Sequence, residues 1–204
     1  MTYAEGEPKK VRTFVALDIP DDVRQRLDEW GRRELTDPAL RPVPAANLHL
    51  TLCFLGWIAE PQMDLIERIV LGLAPRPVAM TFADEPAGKP PRRPGFFALD
   101  VDSPAAVEVQ RELQEALVAV GLYEPEKRPF WPHLTVARVR TKRGSRRPLA
   151  VKRRPGSLPG DLVHTFGSVR VALYRSNLRP EGAQYVSLAS MDLPPLAQPG
   201  AGKR

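Results

Sequence analysis

Two of the chain's three histidines open the same tripeptide, His49-Leu50-Thr51 and His133-Leu134-Thr135. Along an extended strand side chains alternate between faces, so each copy sets an imidazole beside a hydroxyl while its leucine turns the other way. Facing one another across a groove, the two copies suit in-line displacement at phosphorus. One imidazole, as neutral base, takes a proton from water; the other, as imidazolium, gives one to the departing oxygen. An unperturbed histidine pKa of about 6.5 makes both forms accessible near neutral pH, and each positioned proton transfer is worth roughly 10² to 10⁴ in rate. The hydroxyls of Thr51 and Thr135 would hydrogen-bond the nonbridging phosphate oxygens and counter the charge that grows in the transition state. Approximate symmetry leaves open which histidine is acid and which is base.

Other uses of these residues are weaker. One His-x-Thr alone is more often a satisfied, half-buried histidine than a catalyst. Zinc needs a set of nearby ligands, and neither histidine has a His, Cys or Glu partner at ligand spacing, so no metal site is expected. His164 is followed by Thr165 and Phe166, which breaks the pattern, and it reads as a loop residue. Cys53 is the only cysteine and reads as a small buried apolar residue; no intrachain disulfide is possible. The terminal "GAGKR" lacks the earlier Gly, the Ser or Thr after Lys203 and the helix of a phosphate loop, so no ATP or other cofactor is expected.

A second repeat accompanies the first. "FVALD" (Phe14 to Asp18) and "FFALD" (Phe96 to Asp100) share Phe-x-Ala-Leu-Asp. Both halves thus present a short β-rich run, a helical pattern, then a strand carrying HLT. In the first half Val23, Leu27 and Trp30 form the apolar face of the helix, with Asp21 and Asp22 at its positive end. In the second, Ser103-Pro104 reads as N-cap and first turn, Val107, Leu113, Leu117 and Val120 as the apolar stripe, and Gly121 as the stop. "PQMDLIERIVLGLA" reads as a further helix; "PVAMTF", "SVRVALY" and "QYVSLASM" read as strands. The expected fold is α+β: two pseudo-symmetric lobes of mainly antiparallel sheet, helices on the outer faces and the active groove between the lobes. The expected organisation is a flexible leader over 1–10, a single bilobal domain over 11–192 and a disordered tail over 193–204.

The chain of 204 residues, 43% hydrophobic and 26% charged, has the balance of a soluble globular protein. It holds no run of roughly 20 apolar residues and no apolar leader, so no membrane partner is expected and a cytoplasmic location is. A net charge of +6 favours an anionic partner. Much of the excess lies in "TKRGSRRPLAVKRR", 141–154, which has no regular periodicity and reads as a solvated loop or as an arm facing nucleic acid.

"RTFVALDIP", "NLHLTLCFLG", "RPFWPHLTVARV" and "VALYRSNLRPEGAQYVSL" together resemble the 2H phosphoesterase superfamily, in its RNA 2′,3′-cyclic phosphodiesterase branch, also called 2′-5′ RNA ligase. The resemblance covers most of the chain. It implies a bilobal fold, no obligatory metal, and hydrolysis of an RNA terminal 2′,3′-cyclic phosphate to a 2′-phosphate, with reversible ATP-free 2′-5′ joining of RNA halves as a second activity. It makes His49 the general acid, His133 the general base, Thr51 and Thr135 phosphate ligands, and Arg138 a further charge-assisted contact. Arg138 stands at an odd offset from Thr135, so a bulge or twist must turn it toward the site. Phe130 is a candidate base-stacking platform. The expected partner is RNA with a cyclic phosphate end, bound by a monomer needing no protein partner. A noncatalytic RNA-binding module, and a phosphodiesterase for a small cyclic nucleotide, are the alternatives; a binding module would have no need of both histidines. The basic segment after Arg140, and Phe96-Phe97 where an aliphatic-Trp run is usual, depart from the family pattern and bear on substrate preference.

Overall fold

The chain is described by a computed structural model covering residues 8–142, 144–179 and 182–197. Ten strands appear in chain order: β1 Lys10–Asp18, β2 Leu40–Pro42, β3 His49–Ala59, β4 Ala79–Phe82, β5 Ala87–Lys89, β6 Phe96–Asp102, β7 His133–Val139, β8 Phe166–Gly167, β9 Arg170–Arg179 and β10 Gly182–Asp192. Three α-helices, α1 Asp21–Glu34, α2 Met63–Leu71 and α3 Pro104–Ala119, complete the regular elements. The strands run β10-β9-β1-β3-β7-β6-β4-β8, with β2 also beside β7 and β5 beside β6, and every pairing is antiparallel. The expected α+β class and mainly antiparallel sheet are therefore observed.

The repeat read from the sequence is a repeat of register. In the first half Asp18 lies opposite His49, Leu17 opposite Leu50 and Ala16 opposite Thr51. In the second, Asp100 lies opposite His133, Leu99 opposite Leu134 and Ala98 opposite Thr135. The two His-x-Thr strands, β3 and β7, run antiparallel and meet at one register pair, Leu50 with Leu134. Both leucines have 0% exposure.

Each half also carries the same irregularity. Between Val15 and Ala16 the register skips Leu52 of β3, and between Phe97 and Ala98 it skips Val136 of β7. An unpaired residue in one strand reverses the alternation beyond it. Leu52 and Cys53 are consequently both buried, as are Val136 and Ala137, and the next residues, Phe54 and Arg138, emerge exposed. This is the bulge that the odd offset of Arg138 requires.

Opposite the histidine face, one hydrophobic cluster runs through both halves and includes Leu17, Leu50, Leu99, Leu134, the α1 residues Val23, Leu27 and Trp30, and Ile66 and Val70 of α2. Cys53 belongs to it, and burial pushes its thiol up to about 12. For α3 the buried face is Ala106, Val109, Gln110, Leu113 and Leu117; Val107 and Val120, expected in the stripe, are 42% and 43% exposed. The stripe counted from Val107 passes over Ala106, Val109 and Gln110, the first turns of the buried face. The ends of α3 are as read. Ser103 accepts from the Ala106 N–H at 3.1 Å, and Gly121, at φ +70°, closes the helix with its N–H on Val118 O while Leu122 N–H reaches Leu117 O.

The expected leader over 1–10 and tail over 193–204 fall mostly outside the described residues. Residues 1–7 and 198–204 lie outside the described residues, but β1 already begins at Lys10, and Leu193 is buried with its N–H on Val169 O. No described helix is long and apolar enough to cross a membrane.

Ser103 also donates to Ala79 O at 2.6 Å, joining the start of α3 to β4. Ser103→Ala removes a helix cap and takes from the half-buried Ala79 carbonyl its hydroxyl partner. Urea unfolding should show it less stable by about 1–2 kcal/mol, with the histidine groove unaltered.

Candidate active site

The alternation of β3 and β7 brings His49, Thr51, His133, Thr135 and Arg138 to the walls of one groove of about 520 Å³. Antiparallel pairing at Leu50 and Leu134 sets the His49 position on the side of Thr135 and the Thr51 position on the side of His133.

The two imidazoles are held alike. His49 Nδ1 lies 2.8 Å from Asn47 O, and His133 Nδ1 lies 2.8 Å from Trp131 O, each a carbonyl two residues upstream. A carbonyl only accepts, so Nδ1 carries the proton in both rings and the neutral form presents a bare Nε2. In His49 that Nε2 is 3.1 Å from Thr51 Oγ1, whose hydroxyl donates to it. Each ring is also backed by aromatics: His49 stacks on Phe14 at 4.8 Å and meets the edge of Tyr185 at 5.3 Å, while His133 stacks on Trp131 at 4.0 Å with an interplanar angle of 11°. Trp131 is fixed in turn by its indole N–H on Asp100 Oδ1 at 2.8 Å, with Lys89 Nζ 4.4 Å from its ring centre.

These surroundings disfavour the imidazolium. Burial pushes His49 down to about 4 against the opposing pull of the Asn47 carbonyl and Asp18, and burial likewise lowers His133, with the Trp131 carbonyl and Asp100 opposing. Both rings are neutral at pH 7. Asp18, buried between β1 and β9, spends its oxygens on Arg170 Nε at 2.6 Å and Tyr174 OH at 2.8 Å, and so acts on His49 only at a distance.

Arg12, Arg41, Arg138 and Arg179 all line the groove, whose lining includes no carboxylate among the described residues. Arg41 and Arg138 are neighbours across β2 and β7. Four guanidiniums around two neutral imidazoles and two hydroxyls make a site for an anion with several acceptor oxygens.

Phe130 is not among the residues that line the groove. It packs against the hydrophobic cluster, and the aromatic that meets His133 is the next residue, Trp131, because the chain enters β7 with that side chain over the imidazole. Phe14, Trp131, Tyr185, Arg12, Arg41 and Arg179 were not singled out from the sequence. The doubled Phe-x-Ala-Leu-Asp was a signal for Phe14, since its position one strand from each histidine is repeated. The three arginines sit on strands whose meeting at the groove no local pattern announces. His164 lies exposed in the loop before β8, as expected.

Residues 19–154 match the model of the 2′-5′ RNA ligase superfamily. A protein of Methanothermobacter thermautotrophicus named RNA 2′,3′-cyclic phosphodiesterase is 32% identical over 189 residues, 88% of this chain and 97% of its own length. One of the same name from Thermus thermophilus is 30% identical, over 90% of each chain. Among solved structures, one from Thermus thermophilus superposes with a TM-score of 0.73 at 24% identity, covering 89% of this chain and 97% of its own. Escherichia coli LigT complexed with 3′-AMP superposes with a TM-score of 0.71 at 24% identity, covering 91% and 99%.

Because His49 is more readily protonated in the unfolded chain than in the fold, it destabilises as pH falls from about 6.5 to about 4 and contributes no such loss above that range. His49→Gln should remove this dependence. Between pH 7 and pH 4 the wild type should lose about 3 kcal/mol more unfolding free energy in urea than the variant; equal losses would contradict the burial of His49.

Proposed function

The chain belongs to the 2′-5′ RNA ligase superfamily, and from that premise we propose that it hydrolyses the terminal 2′,3′-cyclic phosphate of RNA to a 2′-phosphate. The observation that carries the reading is the pair of imidazoles with bare Nε2 atoms in one arginine-lined groove. The names of its relatives supply the substrate class.

In the proposed reaction His133 Nε2 takes a proton from water as the water oxygen attacks phosphorus. The bond from phosphorus to O3′ breaks in line, and His49, protonated at Nε2, gives that proton to O3′. The product keeps its phosphate on O2′, and His133 returns its proton to solvent while His49 regains one. Thr51, Thr135 and Arg138 hold the nonbridging oxygens. The groove's twofold character serves either order of acid and base; the family resemblance supplies this one. A 5′-hydroxyl of a second RNA in place of water would give a 2′-5′ bond by the same two transfers. The acid role is compatible with the low pKa of free His49 because an anionic phosphate beside the ring raises it.

The test is a short RNA ending in a 2′,3′-cyclic phosphate. Wild-type protein should release only the 2′-phosphate, and His49→Ala and His133→Ala should each lose at least about 10²-fold in kcat/KM. The pH profile should be a bell whose acid limb, requiring neutral His133, disappears in His133→Ala, and whose basic limb, requiring protonated His49, disappears in His49→Ala. With the substrate phosphate raising His49, the basic limb of kcat should lie at higher pH than that of kcat/KM. Full activity in either alanine variant would overturn the mechanism; RNA binding without turnover would favour the binding module.

A further inference from the structure

The stretch that leaves the groove on β7 carries charge that the reaction does not use. From Val139 to Arg154 the sequence has eight Lys and Arg and no Asp or Glu, more than the chain's whole net charge of +6. Arg140, Lys142, Arg146, Arg147, Lys152, Arg153 and Arg154 are all exposed, and so are Arg92 and Arg93 on the neighbouring loop between β5 and β6. Among the described residues none of these makes an ion pair.

The backbone beneath them is anchored. Arg140 N–H bonds Ala39 O, Leu149 N–H bonds Arg140 O, and Thr141 bridges to Pro148. Farther on, buried Asp37 accepts from the N–H groups of both Lys152 and Arg153 at 2.8 Å through one oxygen and from Ala39 N–H at 2.8 Å through the other. Arg154 ties across to Pro91 O at 3.1 Å. A merely solvated loop gains nothing from a buried carboxylate clamping two successive amides, whereas a fixed row of cations gains position. The segment starts from the groove, since Arg138 and Arg41 line it and the adjoining residues Val139 and Leu40 are paired, with Arg140 Nε donating to Leu40 O at 3.3 Å.

We infer that this ridge is a track for the phosphate backbone of the RNA strand on the 5′ side of the reacting end, so that the protein reads several nucleotides rather than one. Positively charged tracks hold single strands without reading bases and bind in a strongly salt-dependent way. The inference rests on the reading that the groove takes an RNA end, and it deepens that reading by making long single-stranded RNA the preferred substrate over a dinucleotide.

The probes are single-stranded RNAs of two and twelve nucleotides with a 2′-phosphate end, titrated by fluorescence anisotropy. Three proteins are compared: wild type; a ridge variant carrying Arg146→Gln, Arg147→Gln, Arg153→Gln and Arg154→Gln; and a control carrying Arg32→Gln, Arg33→Gln, Arg68→Gln and Arg111→Gln, which removes equal charge from the helices. Wild type and control should bind the longer RNA at least about tenfold more tightly than the shorter, and the ridge variant should bind both alike. Every phosphate that the ridge variant leaves unneutralised should reduce the slope of log affinity against log salt by about 0.7. A ridge variant that keeps the length preference, or a control that loses it equally, would overturn the inference. Since binding is measured without turnover, a lack of phosphodiesterase activity would strike the proposed reaction and leave this result readable.

Discussion

Leu50 and Leu134, with no exposed surface, are the register pair at which the two His-x-Thr strands, β3 and β7, meet. The functional geometry depends on this contact. Fixing two leucines on the core side fixes the alternation of both strands, so His49 and Thr51, His133 and Thr135 must all stand on the other side. A slip of one residue at that pair would turn one set of groups into the hydrophobic cluster. The apolar side of the tripeptide therefore decides which way its polar side faces.

Symmetry then divides into what is shared and what is not. Both halves share the register, the bulge and the carbonyl that sets the imidazole tautomer. They differ in what surrounds each ring: Phe14 and Tyr185 around His49, Trp131 held by Asp100 around His133. The equivalent aspartates are likewise put to different uses, Asp18 on Arg170 and Tyr174, Asp100 on Trp131. Beyond the bulge the equivalent positions hold Phe54 in one half and Arg138 in the other, giving the groove an apolar and a cationic side. A duplicated frame with unlike linings can give its two histidines unlike roles.

Much of this was legible in the sequence because it is written in short-range periodicity and in repetition. The helices α1 and α2, the cap of α3, the strands bearing His-x-Thr and even the need for a bulge before Arg138 follow from local pattern. What was not legible depends on packing between distant segments. Val107 and Val120 look like core by type, yet the helix buries Ala106 and Gln110 instead. Phe130 and Trp131 are adjacent aromatics, and only the entry angle of β7 decides which meets the histidine. Arg12, Arg41 and Arg179 come from three separate strands, and their convergence needs the sheet order.

The central claim is that His49 and His133 stand neutral in the free protein, protonated at Nδ1, with Nε2 turned to a phosphate site. Imidazole NMR of the protein across pH 4 to 8, with and without a 2′-nucleotide, tests it directly. The account predicts Nδ1–H tautomers for both rings, titration below the usual histidine value in the free protein, and a rise for both on adding the nucleotide. Nε2–H tautomers, or rings indifferent to the nucleotide, would contradict it.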